Sequence, residues 1–151
     1  MSRVDDDFER SWDGEPISRE PPYGAMVVVY RRAGHRSEFL VLHRAQYGPE
    51  FAGEWAWGPP SGARYPGEAI DRCAERELLE ETGLALSPRR TDAGSDDWFV
   101  YLAAAPSDAD VRLSDEHDRY AWLPLEQAAA YITPADVRAS FLAAAASLAR
   151  A

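Results

Sequence analysis

Residues 62–84 read GARYPGEAIDRCAERELLEETGL, and this stretch decides how the rest of the chain is understood. Pro66-Gly67 marks a turn, and from Glu68 to Glu81 apolar residues recur at helical steps: Ile70, Cys73 or Ala74, Leu78 and Leu79. Gly83 stands where a helix favours a left-handed C-terminal residue. On the predicted helix Glu77, Glu80 and Glu81 occupy positions i, i+3 and i+4, so three carboxylates project close together. Exposed like-charge pairs at this spacing cost roughly 0.2–0.5 kcal/mol each, and more when partly buried. A divalent cation reverses the sign of that cost, and an all-oxygen donor set selects magnesium or manganese over zinc. Taken alone, the same acids also suit a solvated helix balanced by Arg72 and Arg76.

Towards the N-terminus, Ala25 to Tyr30 is a β-branched run that predicts a buried strand, residues 31–35 a turn, and Phe39 to Leu42 the second strand of a hairpin. Arg44 to Glu54 predicts a loop, and Trp55 to Trp57 a short strand before Pro59-Pro60. Downstream, Trp98 to Ala104 and Tyr120 to Leu123 predict strands and Leu125 to Tyr131 a short helix. Thr133 as N-cap and Pro134 at the first position open a last, alanine-rich helix through about Leu148. Strands mixed with separated helices predict an α/β (α+β) fold, a sheet covered by helices on its faces. Residues 1–22, charged and interrupted by Gly14, Pro16, Pro21 and Pro22, predict a loosely ordered lead-in to a domain spanning 23–151. Phe8, Trp12 and Ile17 are its candidates for docking on the domain or a partner.

A chain of 151 residues, 46% hydrophobic and 11% aromatic, suits one globular core. Its net charge of −10 argues against general affinity for nucleic acid or anionic membrane, both of which require clustered cations. All 16 basic residues are arginine, which removes Schiff-base lysine chemistry and the lysine of a P-loop. Cys73, the single cysteine, cannot form an intramolecular disulfide or a thiolate zinc site, and fits a reducing, cytoplasmic setting as a small buried hydrophobe. No apolar run suits a signal peptide or a membrane-spanning helix.

Residues 62–84 resemble the signature of the Nudix hydrolase family, G-x5-E-x7-R-E-U-x-E-E-x-G-U with U aliphatic. All nine specified positions match, from Gly62 and Glu68 through Arg76, Glu77, Leu78, Glu80 and Glu81 to Gly83 and Leu84. The resemblance implies an α/β/α sandwich with a mixed sheet between helices, and metal-assisted attack of water on a nucleoside diphosphate linked to some group X. It implies that Glu77, Glu80 and Glu81 are metal ligands, one doubling as base in some members, that Arg76 orients them, and that Glu68 supports the network. Family members commonly carry glycine or lysine where this chain has Ser61, whose backbone carbonyl is the implied further ligand. Arg64, Arg44 or Arg36 can supply a phosphate contact that a lysine there would make.

Residues 57–62, 98–103 and 113–123 are similar to the Nudix branch containing diadenosine tetraphosphate hydrolases, where a glutamate before histidine often adds a metal ligand or base. Glu116 is that candidate here, against the plainer role of a solvent-facing loop acid. His117 and His43 suit packed, hydrogen-bonded positions better than proton transfer. Tyr47 and Phe51, in the predicted loop, are the aromatic candidates for stacking on a nucleobase. Trp55 and Trp57 share that chemistry, but core packing explains Trp57 and Trp122 at least as well. The expected activity is a magnesium- or manganese-dependent pyrophosphohydrolase acting on a dinucleoside polyphosphate or nucleoside triphosphate, as monomer or homodimer. Its rivals are a nucleotide-sensing domain without turnover, against which the intact acids argue, and an RNA-processing enzyme, disfavoured by the lack of a basic stripe.

Overall fold

The computed structural model describes residues 9–10 and 16–150; Phe8 and Trp12 lie outside the described residues. β1 (Glu9–Arg10) and β2 (Pro16–Ile17) pair with each other ahead of the main sheet. That sheet has seven strands: β3 (Gly24–Ala33), β4 (Arg36–Arg44), β5 (Trp57–Gly58), β6 (Ser61–Ala63), β7 (Arg89–Gly94), β8 (Trp98–Ala104) and β9 (His117–Pro124). β3 pairs in parallel with β8 along its length, while the other pairings are antiparallel, so the sheet is mixed as expected.

β3 and β4 form a hairpin only at their Ala33/Arg36 end, where Gly34 takes the positive φ of 66° that the turn requires. At the other end β5 pairs with Leu42 and His43 while β6 pairs with residues 24–26. β8 and β9 already occupy the outer edges of β3 and β4, so residues 57–63 wedge between the two long strands. The first residues of the signature therefore lie in the sheet itself.

α1 (Ile70–Thr82) covers one face, and α2 (Leu125–Tyr131) with α3 (Ala135–Ala146) covers the other. This explains the uninterrupted β-branched run of β3: Ala25, Val27 and Val29 pack in the cluster under α1, and Met26 and Val28 in the cluster under α2 and α3. The result is the expected helix–sheet–helix sandwich.

Several local expectations are corrected. Trp55 lies in no strand; it has a φ of 72°, in the turn closed by the Ala56 N–H donating to Gly53 O. Leu79, read as part of the apolar stripe of α1, is half exposed, and the buried stripe instead runs through Cys73, Ala74, Glu77, Leu78, Glu81 and Thr82. Thr133 does not cap α3: the Pro134 carbonyl accepts from Val137 and Arg138, and α3 ends at Ala146 before a 3-10 turn at Ser147–Arg150. β7, sequence RRTDAG, went unread because it carries no alternating apolar pattern.

Candidate active site

The buried stripe of α1 brings Glu77 and Glu81 into the protein on the same face as its core residues, one turn apart. Their side chains are 11% and 3% exposed and are hydrogen-bonded to each other. Such a pair is stable only if a proton or a cation lies between the carboxylates. Burial raises the pKa of Glu77, offset in part by the hydrogen bond from Glu81 and the charge of Arg76. Burial lifts Glu81 well above the carboxylate range, reinforced by the hydrogen bond to Glu77 and the charges of Glu77 and Glu116. The Ser61 N–H donates to Glu81 Oε1 at 3.3 Å, which ties β6 to the acid pair.

Arg76 organises the rest. Its Nε and Nη2 fork onto Glu68 at 2.8 and 2.9 Å, Nη1 donates to Glu77 Oε1 at 2.8 Å and Glu80 Oε2 at 3.3 Å, and Nη2 also donates to the Ala63 carbonyl at 3.0 Å. The ring of Tyr65 lies 3.8 Å from the guanidinium. Burial works to raise the pKa of Glu68, but the hydrogen bonds from Arg76 and the Tyr65 N–H outweigh it, and the net direction is down. Glu80 is half exposed and turned towards Arg76.

These groups open on a cleft of about 910 Å³. Arg44, Ser61, Gly62, Arg76, Glu77, Glu80, Glu81 and Glu116 all line it, so most of the residues singled out in the sequence converge on one place. Glu116 comes from the turn before β9 and is close enough to raise the pKa of Glu81. Glu68 stands behind Arg76 and outside the cleft lining.

Three expected substrate contacts are placed elsewhere. Arg64 does not line the cleft; its guanidinium is spent on the carbonyls of Glu20, Pro22 and Glu68 and the hydroxyl of Ser18. Tyr47 and Phe51 pack on each other at 4.9 Å, also outside it. The aromatic lining comes instead from Trp55, Trp57, Tyr65 and Trp98. Sequence reasoning missed Gln46, Trp98 and the α3 residues Asp136, Val137 and Ser140, which only the folding of α3 over the sheet brings to the cleft. Arg36 lies at the hairpin end of β4, opposite Arg44.

His43 is fully buried, with Nδ1 2.8 Å from Asp118 Oδ1 and Nε2 2.7 Å from the Phe51 carbonyl, a packed and satisfied residue. His117 lines the cleft, its Nε2 4.0 Å from Glu81 Oε1. Burial pushes the Cys73 thiol up to about 12, assisted by the charge of Glu68, so it is inert.

Among the described residues no three carboxylate, imidazole or thiol groups converge closely enough to enclose an ion by themselves. Magnesium asks for less: it commonly takes one or two carboxylates, completing its shell with water and substrate phosphates. The paired Glu77 and Glu81, all-oxygen donors carrying excess negative charge in a polar cleft, fit that requirement.

Residues 20–144 match the NUDIX domain family. The chain belongs to the Nudix family. It is 31% identical over 116 residues to the asymmetrical bis(5'-nucleosyl)-tetraphosphatase of Caenorhabditis elegans, a match covering 69% of this chain and 80% of that protein. It is 28% identical over 150 residues to an octanoyltransferase of Myxococcus xanthus, covering 85% of this chain but 39% of that longer protein. Among solved structures, the C. elegans Ap4A hydrolase binary complex superposes with a TM-score of 0.69 at 28% identity, covering 85% of this chain and 98% of that one. With the signature acids in place, this chain is a Nudix hydrolase.

Proposed function

We propose that the chain is a magnesium- or manganese-dependent pyrophosphohydrolase that cleaves a phosphoanhydride bond of a nucleoside polyphosphate, with a dinucleoside polyphosphate as first choice of substrate. The observation that carries this is the buried Glu77–Glu81 pair facing an open cleft, a placement that is costly unless a proton or a cation completes it and that leaves a bound cation open to phosphate oxygens. Similarity to the C. elegans tetraphosphatase supports the choice of substrate.

Glu77 and Glu81 would hold the ion, with Glu80, Glu116 and the Ser61 carbonyl as further oxygen donors. When bound, such an ion neutralises phosphate charge and lowers the pKa of a bound water. Arg76 holds Glu77 in position, and Glu68 and Gly62 support it. Arg44, stacked 5.7 Å from the Trp55 ring and without an ion pair among the described residues, is the cleft cation placed to contact phosphate. Glu80 and Glu116, at the exposed side of the acid pair, are the two candidates for general base. We place the enzyme in the cytoplasm, where its single buried thiol needs no partner.

Hydrolysis of a nucleotide panel with magnesium or manganese, containing nucleoside triphosphates, diadenosine polyphosphates, sugar nucleotides and dinucleotide cofactors, tests this. Metal-dependent cleavage of diadenosine polyphosphates is expected. Nucleotide binding without cleavage across the panel would overturn it in favour of a sensing domain.

A further inference from the structure

The segment before the main sheet is fastened to the signature loop by one side chain. Arg64 donates from Nε to the Pro22 carbonyl at 2.7 Å, from Nη2 to the Glu20 carbonyl at 2.7 Å and to Ser18 Oγ at 3.0 Å, and from Nη1 to the Glu68 carbonyl at 2.8 Å. Its backbone repeats the link: the Ser18 N–H donates to Arg64 O at 2.7 Å, and the Arg64 N–H to Tyr23 O at 2.8 Å. Ser18 is buried by this, and Ile17, next to it and paired with Glu9, lines the cleft. Beyond the strap, the indole of Trp98 lies against Gly24, where a Cβ would collide with both the ring and the Gly62 carbonyl. Ile17 and Trp98 thus add apolar surface to a cleft that Glu77, Glu80 and Glu81 also line.

We propose that residues 16–22 are a built wall of the substrate cleft, with Ile17 a specificity-determining contact for the nucleobase end of the substrate and Arg64 the positioning residue that latches the wall. This rests on the nucleotide reading above and names which part of the nucleotide the strap recognises. A nucleobase is the occupant because the phosphates require the acidic side, where cations can bridge them, and the group left over is a flat apolar ring with polar edges. The latch also accounts for an arginine two residues inside the signature that touches no acid of the α1 cluster directly.

The test uses the full chain with magnesium and diadenosine tetraphosphate. Ile17→Ala should raise KM about tenfold while kcat stays within about twofold, since the lost contact is shared by ground and transition states. Arg64→Met should raise KM similarly and speed trypsin cleavage after Arg19 in the strap; Arg64→Lys should only partly restore both, lacking the fork. Unchanged KM in Ile17→Ala, with unchanged melting temperature, would overturn the inference even if Arg64→Met fails to fold. If the wild type cleaves no nucleotide, the enzymatic reading fails on its own, and the Kd of ADP is read instead. A weaker Kd in Ile17→Ala then supports the wall. An equal Kd, or no ADP binding by the wild type, overturns it.

Discussion

Gly62 and Glu77 are in such close contact that a Cβ at residue 62 would overlap the Glu77 carboxylate. The glycine is required by space rather than by backbone conformation, since its φ is not in the left-handed region. Gly62→Ala should therefore displace Glu77, lowering kcat/KM by two orders of magnitude or more, roughly 3 kcal/mol in the barrier. Steady-state kinetics decide it, and near wild-type turnover would show that Glu77 needs no fixed position.

Arg76 contacts three glutamates from a largely buried position. Arg76→Ala leaves Glu68 and Glu77 without their partner and should cost about 3 kcal/mol or more. Arg76→Lys keeps the charge but loses the fork onto Glu68, and should fall in between. Urea denaturation of the three proteins gives the order, and equal midpoints would reduce the network to surface decoration.

Replacing Glu81 removes one oxygen donor from a buried, crowded pair of acids. Glu81→Gln should abolish turnover and weaken metal binding while leaving the metal-free melting temperature unchanged or higher. Calorimetric titration with manganese, alongside an assay before and after chelation, separates the two effects. An active Glu81→Gln protein would remove this residue from the site.

His117 has no partner for Nδ1 among the described residues, and burial, with the charge of Arg44, pushes its pKa down to about 4 from 6.5. The unfolded chain binds this proton below about pH 6.5 and the folded chain does not, so stability rises with pH between about 4 and 6.5 and is unaffected by His117 above that window. His117→Gln should flatten this part of the profile. Denaturant midpoints measured from pH 7.5 to 4.5 show whether it does; identical slopes in both proteins would assign the dependence to other groups.

The parts of the fold that announce themselves locally were legible. Trp98–Ala104 and Leu125–Tyr131 match their expected limits, because each carries its own pattern and its own breakers. The acids of α1 were legible as a candidate site because the whole stretch around them resembles a family signature; their spacing alone also suits a solvated helix. What stayed hidden depends on distant contacts. Phe51 turns its ring onto Tyr47 while Trp55, read as a strand residue, is turned to the cleft by a left-handed backbone. Arg64 is indistinguishable from a phosphate ligand until residues 18–22 are seen beneath its guanidinium.

The parallel pairing of β3 with β8 joins Gly24 to Trp98, and α1 with all its glutamates lies on the connection between them. Pairings this remote along the chain close late, because the loop's entropy is lost before its contacts form. During refolding, helix signal is therefore expected to return ahead of nucleotide affinity: the acids exist on their helix early, but have no cleft to face until the centre of the sheet has joined.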